Sequence, residues 1–232
     1  YLPTRLAEFY ERAGMIKTLG SEDRVGSLSI IGAVSPPGGD FSEPVTSHTK
    51  RFTRAFWALD KELADARHYP AISWILSYSE YVEEVSEWWS LNVDKSWQSY
   101  RNEAMKILQR EDELREIVKL VGPEALPDSQ RLILEAARML RIAFLQQNAL
   151  DTIDTYSTPE KQFKMLKIII DFYYGAERII EKGIPIFKIT QLSVIHEIMR
   201  MKNEIPNDKI QMFDELYQRV KDQLLSLEES LR

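Results

Sequence analysis

A loop that cradles phosphates needs glycines, a lysine and a Ser/Thr at GxxxxGK[ST] spacing, so that backbone N–H groups wrap the phosphates and the hydroxyl holds a magnesium ion. No such stretch occurs in the 232 residues. Gly38-Gly39 lacks both the lysine and a following helix and reads as turn chemistry. His48, His68 and His196 stand far apart, with no carboxylate at metal-ligand spacing beside them. The chain has no cysteine, which excludes thiolate metal sites and disulfides, and it has no G-x-S-x-G elbow. Glu83-Glu84 and Glu111-Asp112-Glu113 would be paired carboxylates only if neighbours on a helix pointed the same way. They do not, so both runs read as solvated faces. Trp88-Trp89 reads either as a binding patch or as one ring in the core and one at a domain seam.

What remains is a shaped loop. In Gly26 to Thr46, GSLSIIGAVSPPGGDFSEPVT, the residues Leu28, Ile30 and Ile31 to Val34 are too continuously apolar to leave one face wet and predict a buried strand. Pro36-Pro37-Gly38-Gly39 then stops pairing and turns the chain. Open α/β sheets hold ligands just beyond the carboxyl ends of their strands. Ser35 at that strand end either faces a ligand or caps the Pro-Pro turn with its hydroxyl. Asp40, Ser42 and Glu43 form an acidic loop beyond it.

The elements that would position these residues follow in order. Pro3 suits the first turn of a helix with Leu2, Leu6, Phe9 and Tyr10 on one face and Gly14 as its stop. A polar turn at Gly20-Ser21-Glu22-Asp23 precedes the strand. Phe52 to Leu59 carries enough aromatic residues to require burial. Asp60 caps a short helix with Leu63, Ala64 and Ala66 inside it, and Pro70 restricts the backbone of Tyr69 to extended geometry. From about Ser79 glycine nearly vanishes and the periodicity becomes helical. A helix from about Lys95 carries Met105, Leu108, Leu114, Ile117 and Leu120 and ends at Gly122-Pro123. Another opens at Pro127-Asp128-Ser129 with Leu132, Ala136, Met139, Leu140 and Phe144 aligned. Ser157 and Glu160, with Pro159 between, make a capping box for a helix reaching Gly183 that is apolar on more than one side, from Phe163 to Ile180, and hence central. Ile184 to Met201 supplies a shorter helical piece, and Asn207 to Leu231 an amphipathic closing helix.

The fold class expected is mainly α. Residues 1–78 would be a partial α/β unit, and residues 79–232 an all-α helical bundle. A net charge of −6 argues against a nucleic-acid partner, which would meet a basic stripe. No run has the length of a membrane span, no secretory signal is visible, and the missing cysteines fit an intracellular protein. Tyr1 opens the chain without methionine and inside a helical pattern, so an excised fragment is expected.

Four stretches, YLPTRLAEFYERAG, GSLSIIGAVSPPGGDFSEPVT, RHYPAISWILSYSEYV and LQQNALDTIDTY, resemble in that order the catalytic A subunit of archaeal A-type and vacuolar-type rotary ATPases. The likeness runs from Tyr1 to near the carboxyl end. It implies the last two-fifths or so of a subunit that couples ATP synthesis or hydrolysis to proton or sodium transport. The phosphate loop, the aspartate that positions Mg2+ and the glutamate that activates water would lie before Tyr1. The parent is thus an ion-transporting ATPase that uses ATP/ADP with Mg2+. The fragment alone is expected to be inactive, to require no cofactor and to contain no catalytic or metal-binding residue. The resemblance also implies an adenine pocket. In the related beta subunit of F-type ATPases a tyrosine-proline pair and later aromatics surround the base, and their pattern is similar to Tyr69-Pro70 and to the Leu150–Tyr156 segment, with Ala149 beside it. The family usually has phenylalanine where this chain has Leu150, which leaves apolar contact but removes a ring. Ser35 would face the phosphates. Asp40, Ser42 and Glu43 would face the central shaft, as would Glu124 and Asp128 in the turn GPEALPDSQR. Partners implied are the B subunit, which alternates with its catalytic counterpart in a ring of three each, and the shaft subunits. Contact with the membrane would be indirect, through the ion-translocating sector on its cytoplasmic side. A reading of another class is a non-enzymatic helical interaction module.

Overall fold

A computed structural model gives the fold and describes residues 1–20 and 23–230. Two compact units emerge, one of residues 1–58 and 76–82, the other of residues 59–75 and 83–232.

In the first unit, α1 (Leu2–Tyr10) carries Pro3 in its opening turn and packs against α2 (Pro44–Phe52). Gly14 starts a strand, β1 (Gly14–Lys17), antiparallel to β2 (Val25–Leu28), with Gly14 opposite Leu28. The expected polar turn between them centres on Ser21 and Glu22, which lie outside the described residues. The buried central strand is not formed. β2 ends at Leu28, residues 29–36 take no regular structure, and Ile31 is 85% exposed. A central strand must pair on both edges, and among the described residues β1 is the one neighbour, reaching only to Leu28. The irregular run instead lies on α1, where Gly32 passes so close to the Tyr10 hydroxyl that any Cβ would collide with it.

The expectation of burial for Phe52 to Leu59 also fails, since Trp57 is 65% and Leu59 78% exposed. The segment forms only β3 (Ala55–Phe56), paired antiparallel with β4 (Tyr78–Ser79), and so short a ladder covers one face. On that face Phe56 meets Phe41 edge-on and Tyr78 at a tilt, with the Lys50 ammonium 4.8 Å from its ring centroid.

The second unit is built on α7 (Pro159–Glu181), whose Phe163, Leu166, Ile169, Phe172, Tyr173, Ala176 and Ile179 are all buried. Around it pack α5 (Trp97–Val121), α6 (Asp128–Met139), α9 (Ser193–Glu204) and α10 (Gln211–Glu229). The walls are Ile107 and Leu108 from α5, Leu132 and Ala136 from α6, Ile198 from α9, and Phe213, Leu216 and Val220 from α10. Each large apolar side chain so enclosed is worth about 1.5–3 kcal/mol. Asp171 on α7 accepts hydrogen bonds from Tyr100 of α5 and Tyr217 of α10, both at 2.7 Å, pinning three helices at one level. The unit also holds α3 (Lys61–Asp65), α8 (Ile186–Thr190) and all of α4 (Val82–Asn92) after its first residue.

Several helix details differ from expectation. On α5, Ile117 is 46% and Leu120 86% exposed, so the apolar stripe expected there is not buried along its whole length. Gly122 does end that helix, with φ at 79°, a left-handed value that suits glycine. The cap of α7 is Thr158, not Ser157: its hydroxyl accepts from the Lys161 N–H at 3.3 Å. A cap at Ser157 would force helical backbone on Thr158, immediately before Pro159, where proline disfavours it. The Ile184–Met201 piece is two helices, α8 and α9, parted at Gln191-Leu192. α10 begins at Gln211 because Asn207 is spent elsewhere, its side chain accepting from Thr158 N and donating to the Tyr156 carbonyl. Leu231 lies outside the described residues.

These caps are separable by mutation. Thr158→Ala is expected to lower unfolding free energy by about 1 kcal/mol, whereas Ser157→Ala leaves the denaturation midpoint where it was; equal effects would return the cap to Ser157.

Candidate functional site

Tyr69 sits in a tight turn after α3. Asp60 caps that helix, accepting from Leu63 N at 3.1 Å, and its own N–H donates to the Ala71 carbonyl at 2.9 Å, so the segment doubles back on itself. Arg67 holds φ at 57°, a left-handed conformation that costs a non-glycine residue about 1–2 kcal/mol. The Tyr69–Pro70 peptide bond is cis. His68 lies edge-on to Trp74, and burial, helped by the positive charges of Arg141 and Lys202, pushes its pKa below the ordinary histidine value.

A second segment meets this turn from far along the chain. The Tyr69 carbonyl accepts the Gln147 N–H at 2.8 Å, and the Gln146 side chain donates to the Arg67 carbonyl at 3.4 Å. Gln146 follows a stretch of π-helix, Leu140–Leu145, that continues α6. The loop from 146 to 158 is stitched from inside by polar groups. Asp154, 2% exposed, accepts from Asn148 N at 2.7 Å and pairs with Lys202 at 3.4 Å. Its carbonyl takes the Gln147 side-chain amide at 2.8 Å. Lys202 also donates to the Gln146 carbonyl. Lys161, fully buried, donates to the Lys202 carbonyl at 2.9 Å, and burial lowers its pKa against the opposing pull of Asp154 and Asp151. Asp151 accepts from the N–H groups of Asp154 and Ile153, which hold its carboxyl below the usual range.

Those inward bonds leave the outward side chains free. Leu150 is 95%, Tyr156 65% and Tyr69 54% exposed, with Pro70 and Ala149 also on the surface. Tyr69, Pro70, Ala149, Leu150 and Tyr156 are thus carried by two segments that one backbone hydrogen bond ties together. Such an arrangement can offer apolar and aromatic faces to a flat ligand without a titratable group. Asp154, Lys161 and Lys202 escaped sequence reasoning. The available signals were the Asp151-x-x-Asp154 spacing, typical of side chains that bind nearby backbone, and two lysines at apolar positions of helical patterns.

The remaining candidates stand elsewhere. Ser35 is exposed in the irregular run of the first unit. In the acidic loop, Asp40 accepts from Ser42 N at 2.9 Å and from Ser42 Oγ at 2.6 Å. Glu43 accepts from Val45 N at 3.0 Å and Thr46 N at 2.9 Å, capping α2. A helix does follow Gly38-Gly39, contrary to expectation, but the Glu43 carboxylate occupies the N–H groups that a phosphate would need. In the turn after α5, Glu124 is exposed, whereas Asp128 accepts from Ile186 N at 2.9 Å and lies 3.6 Å from Arg131. Glu111, expected on a solvated face, is 4% exposed and held by Arg115 and Arg141 at 3.2 and 3.4 Å. Its burial follows from its position on the α5 face that carries Leu108 and Leu114. Trp88 is 51% exposed and Trp89 stacks on Trp97 at 4.8 Å, so neither ring is in the core. Among the described residues no group of three or more His, Asp or Glu side chains is placed to hold a metal ion.

Residues 1–79 match the ATP synthase alpha/beta family, nucleotide-binding domain, and residues 86–190 match the C-terminal domain of V and A type ATP synthase. The chain is 56% identical over 222 residues to the V-type ATP synthase alpha chain of Halothermothrix orenii, covering 96% of this chain and 38% of that one. It is 59% identical over 214 residues to the A subunit of the A-type ATP synthase of Methanopyrus kandleri, covering 91% of this chain and 36% of the relative. Among solved structures, the ATP synthase subunit NeqB of Nanoarcheaum equitans is similar with a TM-score of 0.62 at 25% identity, over 75% of this chain and 41% of that one. The chain spans well under half the length of these relatives.

A pH titration tests the α2 cap. Both N–H bonds favour the ionised Glu43, so its carboxyl titrates below the ordinary glutamate value. A depressed folded-state pKa gives stability that is fully present above the unfolded value and lost as pH falls through the folded one. Hydrogen-exchange protection of Thr46 is expected to hold from neutral pH into the ordinary carboxylate range and to fall below it; in Glu43→Gln that fall disappears.

Proposed function

Because the chain belongs to the A-subunit family of A-type and V-type ATP synthases, we propose that it is the carboxyl-terminal part of the nucleotide-handling subunit of such an enzyme. Residues 1–78 would complete the nucleotide-binding domain and residues 79–232 would form its helical domain. The parent protein binds ATP or ADP, and this part supplies the adenine side of the pocket through Tyr69, Pro70, Ala149, Leu150 and Tyr156. The observation that carries the reading is the Gln147 N–H to Tyr69 carbonyl bond, which joins two exposed apolar segments nearly eighty positions apart in sequence.

In this reading the phosphates are held mainly by parts of the parent that precede Tyr1, with Ser35 at their edge. Among the described residues no group of three or more carboxylate or histidine side chains is placed to hold Mg2+, so in this reading its protein ligands also come from elsewhere in the parent. The apolar surface of Met15, Ile16, Val25, Leu28 and Ile31, all more than half exposed, supports a larger sheet and disfavours a stand-alone interaction module. The parent works in a multisubunit rotary complex, alternating with B subunits around a shaft. Asp40, Ser42 and Glu43 on one loop, and Glu124 and Asp128 on the helical turn, would face that shaft. Glu124 has its side chain free for this, while Asp128 shapes the turn through Ile186. No helix among the described residues is long and apolar enough to cross a membrane. In this reading the parent meets the membrane only indirectly, through the ion-translocating sector on its cytoplasmic side.

Losing one base–aromatic stack costs about 1–3 kcal/mol. In the complete complex containing the full-length protein, Tyr69→Ala is therefore expected to raise the KM for ATP about tenfold or more; an unchanged KM refutes the adenine role. The present chain by itself is expected to release no phosphate from ATP, and steady release in a purified sample would overturn the assignment of the hydrolytic groups to the missing part.

A further inference from the structure

Three charged side chains behind the exposed loop are withdrawn from water without touching the surface a ligand would meet. Asp154, Lys161 and Lys202 are 2%, 0% and 7% exposed. Burying such charges is costly, and well-packed apolar residues of similar volume often stabilise as much or more. Apolar side chains cannot, however, assign individual backbone groups to directions. Here consecutive residues are assigned one by one: the Gln146 carbonyl to Lys202, the Gln147 N–H to the Tyr69 carbonyl, and the Asn148 N–H to Asp154. The side-chain amide of Gln147 closes on the Asp154 carbonyl, and Lys161 fixes the main chain of Lys202 from behind.

We propose that Asp154 and Lys202 are positioning residues for the base pocket, clamping the backbone of 146–148 so that Tyr69 on one side and Leu150 on the other keep a fixed separation. This rests on the adenine role proposed above for Tyr69 and Leu150. Neither residue touches the base. Lys161 supports Lys202, and its lone positive charge beside the Asp154–Lys202 pair makes the carboxylate the group whose loss is felt most.

The test uses the full-length protein in its complex, with equilibrium binding of ADP and of inorganic pyrophosphate measured for Asp154→Asn, Lys202→Gln and Tyr69→Ala. Pyrophosphate lacks the base and reports general damage. Asp154→Asn is expected to weaken ADP binding about tenfold while pyrophosphate stays within about twofold; Lys202→Gln, which keeps a donor, loses less. If Tyr69→Ala weakens ADP but neither clamp variant does, the clamp is refuted and the base pocket stands. If the clamp variants weaken both ligands together, Asp154 and Lys202 serve only general folding and the proposal is overturned. If Tyr69→Ala leaves ADP binding unchanged, the base-pocket reading fails and the clamp falls with it. Should Asp154→Asn not assemble, Lys202→Gln decides on the same criteria.

Discussion

The helix Pro159–Glu181 is apolar on too many faces to stand at a surface, and the second unit is organised by the need to enclose it. α5, α6, α9 and α10 each contribute one apolar stripe, and their order round α7 satisfies that demand. Enclosure also decides where irregular chain can go. The segments at Tyr69 and at 146–158 are not part of the apolar packing, so their backbone polar groups must be satisfied one at a time.

That is the setting in which buried charge becomes useful. A carboxylate accepts several bonds and an ammonium donates several, so a few ionised groups can organise a length of backbone that has no helix or sheet to order it. The loop's order thus comes from polar groups facing inward, and its outward side chains carry little of the folding energy. The acidic loop of the first unit works differently. Asp40 and Glu43 bind local N–H groups within three residues, which shapes a turn and caps α2 without reaching any distant segment.

Legibility from sequence followed the range of the interaction. Helices with strong periodicity were readable: α1, α6, α7 and α10 all exist where apolar spacing called for a helix, though α10 starts four residues late and α6 passes into a π-helix after Met139, and Asp60 and Gly122 begin or end elements as their types suggest. The Ile30–Val34 run was misread because a buried strand is a property of its neighbours, and β1 reaches no farther than Leu28. The cap of α7 moved one residue because Pro159 constrains what precedes it. Glu111 lies on the apolar face of α5, and the charge that pairs with it there, Arg141, stands thirty positions away in a π-helix that periodicity does not announce. At the site, Tyr69, Pro70 and Leu150 came from a resemblance, whereas the clamp behind them had no motif at all. Its members are matched by distance across three elements.

The loop's construction also bears on how it can change. Ala149, Leu150 and Tyr156 project from a backbone whose conformation is set by Asp154, Asp151, Lys202 and Asn207, so replacing any of the three disturbs neither packing nor hydrogen bonding. Leu150, 95% exposed, is a position of this kind. Selection can alter what such a surface binds one residue at a time, with no accompanying loss of stability to be repaired elsewhere. The inward side chains have no such freedom, and substitution there is coupled across the whole set.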